Sequence, residues 1–272
     1  MQEKPQLSII TVNLNNREGL KKTMQSVFEQ TWQEFEFIII DGGSTDGSRE
    51  YIEQHKEKLS YWVSEPDKGI YNAMNKGIDK ANGEYLLFLN SGDSFNNKEV
   101  LKNFSLLKPF EDIIYGNSLI IYPDSEPELK VMPSNLEGMT IFYRTLNHQS
   151  VFHNKRIFEK GKRYNEEYEV LADWVLYNEV VLFENGSYRH IDLVIADYDL
   201  NGFSSKPENK AVMQRDRNKF YAANIDFFIN HLIQNYEDLK GKNKIAKSNY
   251  KSKYYKAFVL FKKSLRMIIK GY

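Results

Sequence analysis

The sequence predicts an α/β protein whose mostly parallel sheet is flanked by helices and followed by a helical C-terminal extension. In residues 1–90, short apolar runs alternate with segments in which apolar residues recur at helical spacing. This alternation is typical of parallel strands joined by right-handed helical crossovers. From residue 112 onward, short apolar runs and polar loops replace it, which predicts a mixed continuation of the sheet.

Local patterns define the elements of the first half. Four runs rich in apolar, β-branched and aromatic residues predict strands over residues 7–12, 36–40, 60–64 and 85–89. An amphipathic helix follows the first strand, and a second helix begins near Asp46. A third helix over residues 68–81 ends at Asn82 and Gly83, because glycine accepts the backbone conformation found after a helix.

The second half carries weaker signals. The run DIIYGNSLIIY at residues 112–122 predicts two short strands with a turn at Gly116 and Asn117. Residues 123–133 are predicted to form a loop. The remaining predictions are strands at residues 151–152 and 189–194 and helices at residues 173–183 and 206–239, before a last basic helix.

Composition excludes several classes of protein. The chain of 272 residues has no cysteine, so disulfides and thiolate chemistry are excluded. It has no apolar stretch of the roughly 18 residues that a membrane span needs. The N-terminal segment also lacks the charged and apolar regions of a signal peptide. We therefore expect a cytoplasmic protein.

The charge of the chain is unevenly distributed. Residues 240–272 contain 11 Lys or Arg and no Asp or Glu, which leaves 26 basic and 37 acidic side chains elsewhere, a net charge of −11. A basic helix with interspersed aromatic residues is typical either of a solvated face or of contact with an anionic membrane surface. Nucleic acid is disfavoured as a partner, because the body of the protein is acidic.

Polar residues gather where predicted strands end. They are residues 13–15, Asp41 with its glycine-rich loop, Asp67, residues 90–93 and Asp173. Open α/β sheets bind ligands beyond the carboxyl ends of their strands, so these residues are predicted to form one site.

The motifs SIITVNLN, DGGSTDGS, EPDKGIYNAMNKGI, YLLFLNSGD and ADW follow one another within residues 6–183, about two thirds of the chain. In this order they resemble inverting family 2 glycosyltransferases of the bacterial cell-surface polysaccharide type. The resemblance implies a GT-A fold with a Rossmann-like, mostly parallel mixed sheet. It also implies a domain over residues 1–205, with a donor half (1–110), an acceptor half (111–205) and a helical extension at residues 206–272.

The resemblance implies a hexosyl or N-acetylhexosaminyl transferase. The donor would be a nucleotide-diphosphate sugar, with UDP as the expected nucleotide, and the acceptor a hydroxyl of a glycan or of a polyprenyl-diphosphate-linked sugar. Thr11, Asn13 and Asn15 would border the base and ribose, and Asp41 would accept a hydrogen bond from the base. The other residues implied to bind the nucleotide sugar are Gly42, Asp67, Gly69, Asn90, Ser91 and Gly92.

The segment Asn90-Ser91-Gly92-Asp93 occupies the place of the family's metal-binding Asp-x-Asp motif. Asp93 is therefore implied to hold a divalent cation, Mg²⁺ or Mn²⁺, which neutralises the phosphates of the leaving group. Asn90 and Gly92 stand where acidic residues often occur, so the motif is degenerate. His148 is a further candidate ligand of the metal or the diphosphate.

Inverting transfer needs one base to take the proton of the acceptor hydroxyl. Asp173 matches the family's base position at the start of a predicted helix, where the helix dipole favours a negative charge. Trp174 would stack on a sugar, and Gln149 would lie on the acceptor side. The segment Gly202-Phe203-Ser204 resembles a late family motif that closes on the donor.

Other interpretations of the same residues remain open. Asp41, residues 90–93 and Asp173 are also typical of turns and helix caps, and His148 of a structural hydrogen bond. A non-catalytic nucleotide-sugar binding protein and a nucleotidyltransferase are the competing functions. The loop NLNNREGL after the first strand has one glycine, which disfavours both the nucleotidyltransferase and a dinucleotide oxidoreductase.

Overall fold

The computed structural model describes residues 4–122, 125–136, 140–199, 209–227 and 229, and the chain divides into two compact units, residues 1–210 and 211–272. The strands are β1 (Leu7–Asn13), β2 (Phe35–Asp41), β3 (Tyr61–Ser64), β4 (Tyr85–Phe88), β5 (Ser94–Phe95), β6 (Ile113–Ile121), β7 (Glu128–Lys130), β8 (Val151–Asn154) and β9 (Tyr188–Asp199). The helices are α1 (Arg17–Phe28), α2 (Ser48–Gln54), α3 (Ile70–Lys80), α4 (Val100–Ser105), α5 (Thr140–Tyr143), α6 (Arg156–Glu159), α7 (Ala172–Asn178) and α8 (Asn209–Ala223). Single turns of 3₁₀ helix lie at Lys56–Lys58 and His148–Ser150, and a π-helix at Glu179–Phe183 follows α7.

The first half forms the predicted parallel sheet. Its strands lie side by side in the order β3-β2-β1-β4, and each neighbouring pair is parallel. The register pairs Asn13 with Asp41 and Asp41 with Ser64. The carboxyl ends of β1, β2 and β3 therefore lie level at one edge, and this edge carries the polar residues that the sequence analysis grouped together.

The second half continues the same sheet with mixed strand directions, as predicted. β8 runs antiparallel to β4, β6 runs antiparallel to β8, and β9 runs parallel to β6. The short strand β5 pairs with the far end of β9, joining Ser94 to Asp197. This pairing brings the end of β9 next to the loop that follows β4.

The predicted turn at Gly116 and Asn117 is wrong. Residues 113–121 form one strand, and the register with β9 shifts at these two positions as in a β-bulge. A Cβ atom at Gly116 would lie 2.5 Å from the carbonyl oxygen of Leu193. The glycine therefore permits a close approach of β9. A glycine inside a strand often marks a place where another backbone lies this close. Part of the predicted loop that follows is the edge strand β7.

Helices cover both faces of the parallel sheet. Ile9 belongs to a buried cluster with Leu20, Met24 and Val27 of α1. The next residue, Ile10, faces α3, where its side chain lies against Gly77. Successive side chains of a strand point to opposite faces, so this alternation explains why the strands are apolar on consecutive residues.

The C-terminal predictions fall largely outside the described residues. Helix α8 covers part of the predicted helix at residues 206–239. The segment Gly202-Phe203-Ser204 and the basic residues 240–272 are not among the described residues, so their predictions remain predictions. Among the helices that are described, none combines the length and the apolar composition needed to cross a bilayer.

The contact between α3 and β1 depends on Gly77. A Cβ atom there would lie 2.4 Å from Cγ2 of Ile10, and Cγ2 is attached to a fixed, fully buried strand. We expect Gly77→Ala to lower the free energy of unfolding by about 1–3 kcal/mol, because overpacking outweighs the helix propensity gained. Urea denaturation measures this loss.

The matched control is Ile10→Ala, which removes the methyl group that clashes. Alone it should cost about 2–5 kcal/mol. The double variant should lose clearly less than the sum of the two single losses, because the clash is relieved. Strict additivity would show that the contact does not limit packing at this position.

Candidate functional site

Asp41 lies at the carboxyl edge of the parallel strands and is 0% exposed. Its Oδ1 accepts hydrogen bonds from Asn13 Nδ2 (2.8 Å) and Ser44 Oγ (2.6 Å). Its Oδ2 accepts from the Ser44 backbone N–H (3.0 Å) and from Ser64 Oγ (2.6 Å). Both oxygens accept hydrogen bonds from protein donors, and these bonds fix the glycine-rich loop. That Asp41 also accepts a hydrogen bond from a base stays a prediction.

Thr11 lies inside the protein in this structure. Its hydroxyl is fully buried and donates to the carbonyl oxygen of Leu89 at 2.7 Å, which ties β1 to the end of β4. That Thr11 borders the base or ribose stays a prediction. Asn13 is buried too, and its side-chain NH₂ group donates to Asp41 Oδ1 and to Ser44 Oγ.

The loop after β1 and the loop after β2 are bound to each other. The backbone N–H of Asn15 donates to Ser44 Oγ (2.7 Å), and Asn15 Oδ1 accepts from the Thr45 N–H (2.9 Å). Asn15 adopts a positive φ of 48°, a conformation that asparagine tolerates better than most residues. These bonds keep both loops at the sheet edge, with Asn15 exposed to solvent.

Asp67 joins the same edge from the loop before α3. A Cβ atom at Gly42 would lie 3.2 Å from Asp67 Oδ2, so a larger residue there would crowd this carboxylate. Lys76 of α3 pairs with Asp67 (2.6 Å) and with Glu65 (2.7 Å). Gly69, which directly precedes α3, has a positive φ of 131°, and a Cβ atom there would have no other atom within 4 Å. The structure therefore brings Gly42, Asp67 and Gly69 to one place.

The turn at residues 90–93 packs against α1. The backbone N–H of Ser91 donates to the Val12 carbonyl (3.1 Å), and Thr23 Oγ1 lies 2.6 Å from the carbonyl oxygen of Asp93. Lys22 Nζ donates to the Gly92 carbonyl at 2.9 Å, and Gly92 has a positive φ of 108°. The sequence analysis missed Lys22 and Thr23, because both lie on a helix that helical spacing alone explained.

The Asp93 carboxyl group is buried, with 6% of the residue exposed. Burial raises its pKa to about 6, although the charges of His148 and Lys22 and the Asp199 N–H act in the opposite direction. That N–H lies 3.2 Å from Asp93 Oδ1. The Asp199 side chain is near too, since a Cβ atom at Gly92 would lie 3.6 Å from Asp199 Oδ2. No local sequence signal could have revealed Asp199, which reaches the turn only through the pairing of β5 with β9.

His148 connects this turn to the predicted base. Its Nε2 lies 3.0 Å from Asn90 Nδ2, and its Nδ1 lies 3.5 Å from Asp173 Oδ2. Burial opposes a charge on the ring, but the hydrogen bond and charge of Asp173 and the charge of Asp93 outweigh it, so the pKa of His148 is raised. Both ring nitrogens therefore face protein groups in this arrangement. That His148 binds the metal or the diphosphate stays a prediction.

Asp173 lies in the first turn of α7, as predicted. Its Oδ1 accepts the backbone N–H of Trp174 at 2.7 Å, and the Tyr71 hydroxyl lies 3.3 Å from the same oxygen. Its Oδ2 faces His148. The structure thus brings together three predicted residues, Asn90, His148 and Asp173, that are up to 83 positions apart in the sequence.

Two predicted acceptor residues are buried. Trp174 is 0% exposed, and its indole N–H donates to the Ile141 carbonyl at 3.0 Å. Gln149 is also buried. That Trp174 stacks on a sugar and that Gln149 lies on the acceptor side stay predictions.

The carboxylates near the turn at residues 90–93 do not form a metal site by themselves. Among the described residues, no group of three or more His, Asp or Glu side chains could hold a metal ion. A Mg²⁺ bound to a nucleotide diphosphate needs only one or two carboxylates, because phosphate oxygens and water supply the remaining ligands. Asp93, with Asp199 beside it, fits a cation of this kind, which would arrive with the donor.

The hydrogen bonds of Asp41 predict how its substitution affects stability. In Asp41→Asn one oxygen is replaced by an NH₂ group, which leaves buried donors without an acceptor. We expect the free energy of unfolding to fall by about 3 kcal/mol, because each unsatisfied buried group costs about 1–3 kcal/mol. Ser64→Ala, which removes one of the four donors, should cost less. Urea denaturation compares the variants, and unchanged stability of Asp41→Asn would contradict the assignment.

The buried charge of Asp93 predicts a dependence of stability on pH. Because its folded pKa of about 6 exceeds the ordinary value of 3.8, the folded protein binds this proton more tightly than the unfolded chain. Its contribution to stability is therefore full below about pH 4 and is lost as the pH rises to about 6. Asp93→Asn should be more stable than the wild type above pH 6, by at most about 3 kcal/mol.

Urea denaturation at pH values below 4 and above 7 measures this effect. The advantage of Asp93→Asn should be present at the higher pH and absent at the lower one. Glu57→Gln, at an exposed position, is the control and should show no such change with pH. A stability difference for Asp93→Asn that is the same at both pH values would contradict the buried charge.

Solved structures of known proteins resemble this fold. Staphylococcus aureus TarS 1-349, solved in complex with UDP-GlcNAc, matches 71% of this chain and 58% of its own with a TM-score of 0.59 and 19% identity. The mannosyltransferase PcManGT from Pyrobaculum calidifontis, solved with GDP-Man and Mn²⁺, matches 83% of this chain and 65% of its own with a TM-score of 0.60 and 14% identity. The chain therefore spans less than two thirds of either structure. At these identities the likeness shows the fold alone, which confirms the predicted GT-A architecture.

Curated sequences extend the likeness to a family. A PGL/p-HBAD biosynthesis glycosyltransferase of Mycobacterium bovis is 29% identical over 221 residues, which cover 78% of this chain and 84% of that protein. The family model described as glycosyl transferase family 2 matches residues 8–165, more than half of the chain. The chain therefore belongs to glycosyl transferase family 2, as the resemblance of its motifs predicted.

Proposed function

We propose that the protein is an inverting glycosyltransferase that moves a sugar from a nucleotide-diphosphate donor to an acceptor hydroxyl in the synthesis of a cell-surface glycan. One observation carries this proposal: His148 bridges the turn at residues 90–93 and the carboxylate of Asp173. The donor phosphates and the acceptor hydroxyl must meet within one site, and these two groups lie on either side of one imidazole ring. The relative named as a PGL/p-HBAD biosynthesis glycosyltransferase supports glycosyl transfer.

The donor side is proposed to consist of the loops at the carboxyl ends of β1 and β2 together with the turn at residues 90–93. Asn15 is exposed there, while the buried Asp41 accepts a hydrogen bond from the backbone of the loop after β2. UDP-GlcNAc and GDP-Man in the structural neighbours make a UDP- or GDP-hexose the first donors to test. The donor half would be residues 1–110 and the acceptor half residues 111–205.

Asp93 is proposed to bind Mg²⁺ or Mn²⁺ together with the donor diphosphate, and Asp199 is the nearest second carboxylate. Such a cation would neutralise the charge that develops on the departing diphosphate. Lys22 and His148 both act electrostatically on Asp93 and place positive charge on the same side of the site. The protein therefore contributes its own cations to an anionic leaving group.

Asp173 is proposed to act as the base. The acceptor oxygen forms a bond to the anomeric carbon while the bond from that carbon to the diphosphate oxygen breaks, and the nucleoside diphosphate leaves with the electron pair. The hydroxyl proton passes to Asp173. Because Oδ1 already accepts the Trp174 N–H, Oδ2 is the oxygen that can receive the proton.

The role proposed for the C-terminal extension follows from its sequence alone. Its basic residues 240–272 would hold the enzyme at the inner face of an anionic membrane, where a lipid-linked acceptor is accessible.

A non-catalytic nucleotide-sugar binding protein is the second candidate. It is favoured by the absence of acidic side chains at Asn90 and Gly92, which weakens metal binding.

Thermal unfolding with UDP-GlcNAc or GDP-mannose, each with and without Mn²⁺, tests donor binding, since a ligand of the folded state raises the melting temperature. Release of the free nucleotide then measures turnover. We expect Asp173→Asn to keep the donor-induced stabilisation and to lose at least about 100-fold in turnover, within the range that general bases contribute. The control is Asp79→Asn, which alters an exposed ion pair on α3 with Arg163.

The outcomes separate the two candidates. Stabilisation by a donor without any nucleotide release would favour the binding protein. Wild-type turnover in a folded Asp173→Asn variant would refute the base assignment. No stabilisation and no release with any nucleotide sugar would overturn the proposed function.

A further inference from the structure

Tyr71 lies on α3, and its hydroxyl reaches the start of α7. The residue is 7% exposed. The hydroxyl oxygen lies 2.6 Å from the carbonyl oxygen of Val170 and 3.3 Å from Oδ1 of Asp173. The helical spacing of α3 explains the burial of the ring as core packing, but it does not explain two polar contacts at the ring's end.

The Tyr71 hydroxyl faces more acceptors than it has hydrogens to donate. A phenol has one hydrogen to donate, and it faces two acceptors, a carbonyl oxygen and a carboxylate oxygen. Burial, followed by the charge of Asp173, raises the pKa of Tyr71 well above its ordinary value, so the hydroxyl stays protonated. It therefore acts as a hydrogen-bond donor at neutral pH.

The two oxygens of the Asp173 carboxylate have different surroundings. Oδ1 lies between the Trp174 N–H and the Tyr71 hydroxyl, which both come from the protein interior. Oδ2 points the other way, toward Nδ1 of His148 at 3.5 Å. A carboxylate held at one oxygen cannot rotate freely, so the other oxygen is presented in a fixed direction.

Helix α3 also holds the segment that leads into α7. Asn75 Nδ2 donates to the Tyr164 carbonyl (2.9 Å), and Asn75 Oδ1 accepts from the Tyr164 N–H (3.0 Å). The amides of Asn72 and Asn75 both donate to the carboxylate of Glu166, at 3.1 Å and 3.0 Å. Tyr71 is thus one of several groups by which α3 fixes the backbone before Asp173.

We propose that Tyr71 is a positioning residue for glycosyl transfer, whose hydroxyl holds the Asp173 carboxylate so that Oδ2 faces the acceptor hydroxyl. The inference rests on the function proposed above, in which Asp173 is the base. Tyr71 makes no contact with the reacting atoms. It acts through the direction of a carboxylate, and small misplacements of a reacting group cost up to about 100-fold in rate.

The test compares Tyr71→Phe with a matched control in the full-length protein. Tyr85→Phe removes the hydroxyl of another buried tyrosine, which donates to the Glu111 carbonyl at 2.7 Å. Both variants lose a hydrogen bond to a buried carbonyl group, so their losses of stability should be similar. Only Tyr71→Phe also releases the base.

Nucleotide release from UDP-GlcNAc or GDP-mannose with Mn²⁺, with water as the acceptor, gives kcat and the donor KM. We expect Tyr71→Phe to lower kcat about 10- to 100-fold while the donor KM changes less than about two-fold. Tyr85→Phe should keep both constants within about two-fold of the wild type. In an Asp173→Asn background, Tyr71→Phe should cause no further loss.

Each failure has a distinct meaning. An unchanged kcat in Tyr71→Phe, or an equal fall in Tyr85→Phe, would overturn the positioning role while leaving the glycosyltransferase intact. A further loss in the Asp173→Asn background would show that Tyr71 acts by another route, which also overturns it. Absence of nucleotide release in the wild-type protein would instead reject the proposed function, and this inference with it.

Discussion

A single buried carboxylate organises the candidate site. Asp41 lies at the carboxyl end of β2, removed from water, and a charged or polar group in such a place must be hydrogen-bonded. Its four donors come from β1, from the loop after β2 and from β3. Satisfying this one group therefore fixes the relative positions of three strand ends and the glycine-rich loop. Asn15 is hydrogen-bonded to this loop, and Asp67 lies beside its Gly42, so both are at the same sheet edge.

Asp93 is buried as well, but it is held differently. The structure gives it one backbone N–H at 3.2 Å, and burial raises its pKa to about 6. Two buried carboxylates at one sheet edge thus differ in what surrounds them: Asp41 is matched by neutral donors, whereas Asp93 lies near Lys22 and near His148, whose pKa is raised by Asp173 and Asp93. A carboxylate kept buried with few donors reduces stability, and such residues concentrate at functional sites. This contrast is the reason why we propose that Asp41 shapes the loop and that Asp93 binds a ligand.

The sequence predicted the parallel half of the fold because its signals are local. Periodicity and glycine stops fixed β1 to β4 and α3 to within two residues. It also grouped residues 90–93 with Asp173 correctly. It could not show which polar groups find partners inside the protein: those of Thr11 and Trp174 donate to buried backbone carbonyl oxygens. It missed Asp199 and Tyr71 because their contacts span more than 100 positions, a separation that no local pattern encodes.

Helix α3 links the two halves of the reaction. Its Lys76 pairs with Asp67 on the donor side, and its Tyr71 contacts Asp173 on the acceptor side, one and a half turns earlier. A helix is stiff over this distance, so the separation between the donor loop and the proposed base is set largely by its geometry. Gly77 allows the same helix to lie directly on Ile10 of β1, the strand that ends at Asn13. The position of the base relative to the donor is therefore determined by how closely α3 packs on the sheet, rather than by the loops alone.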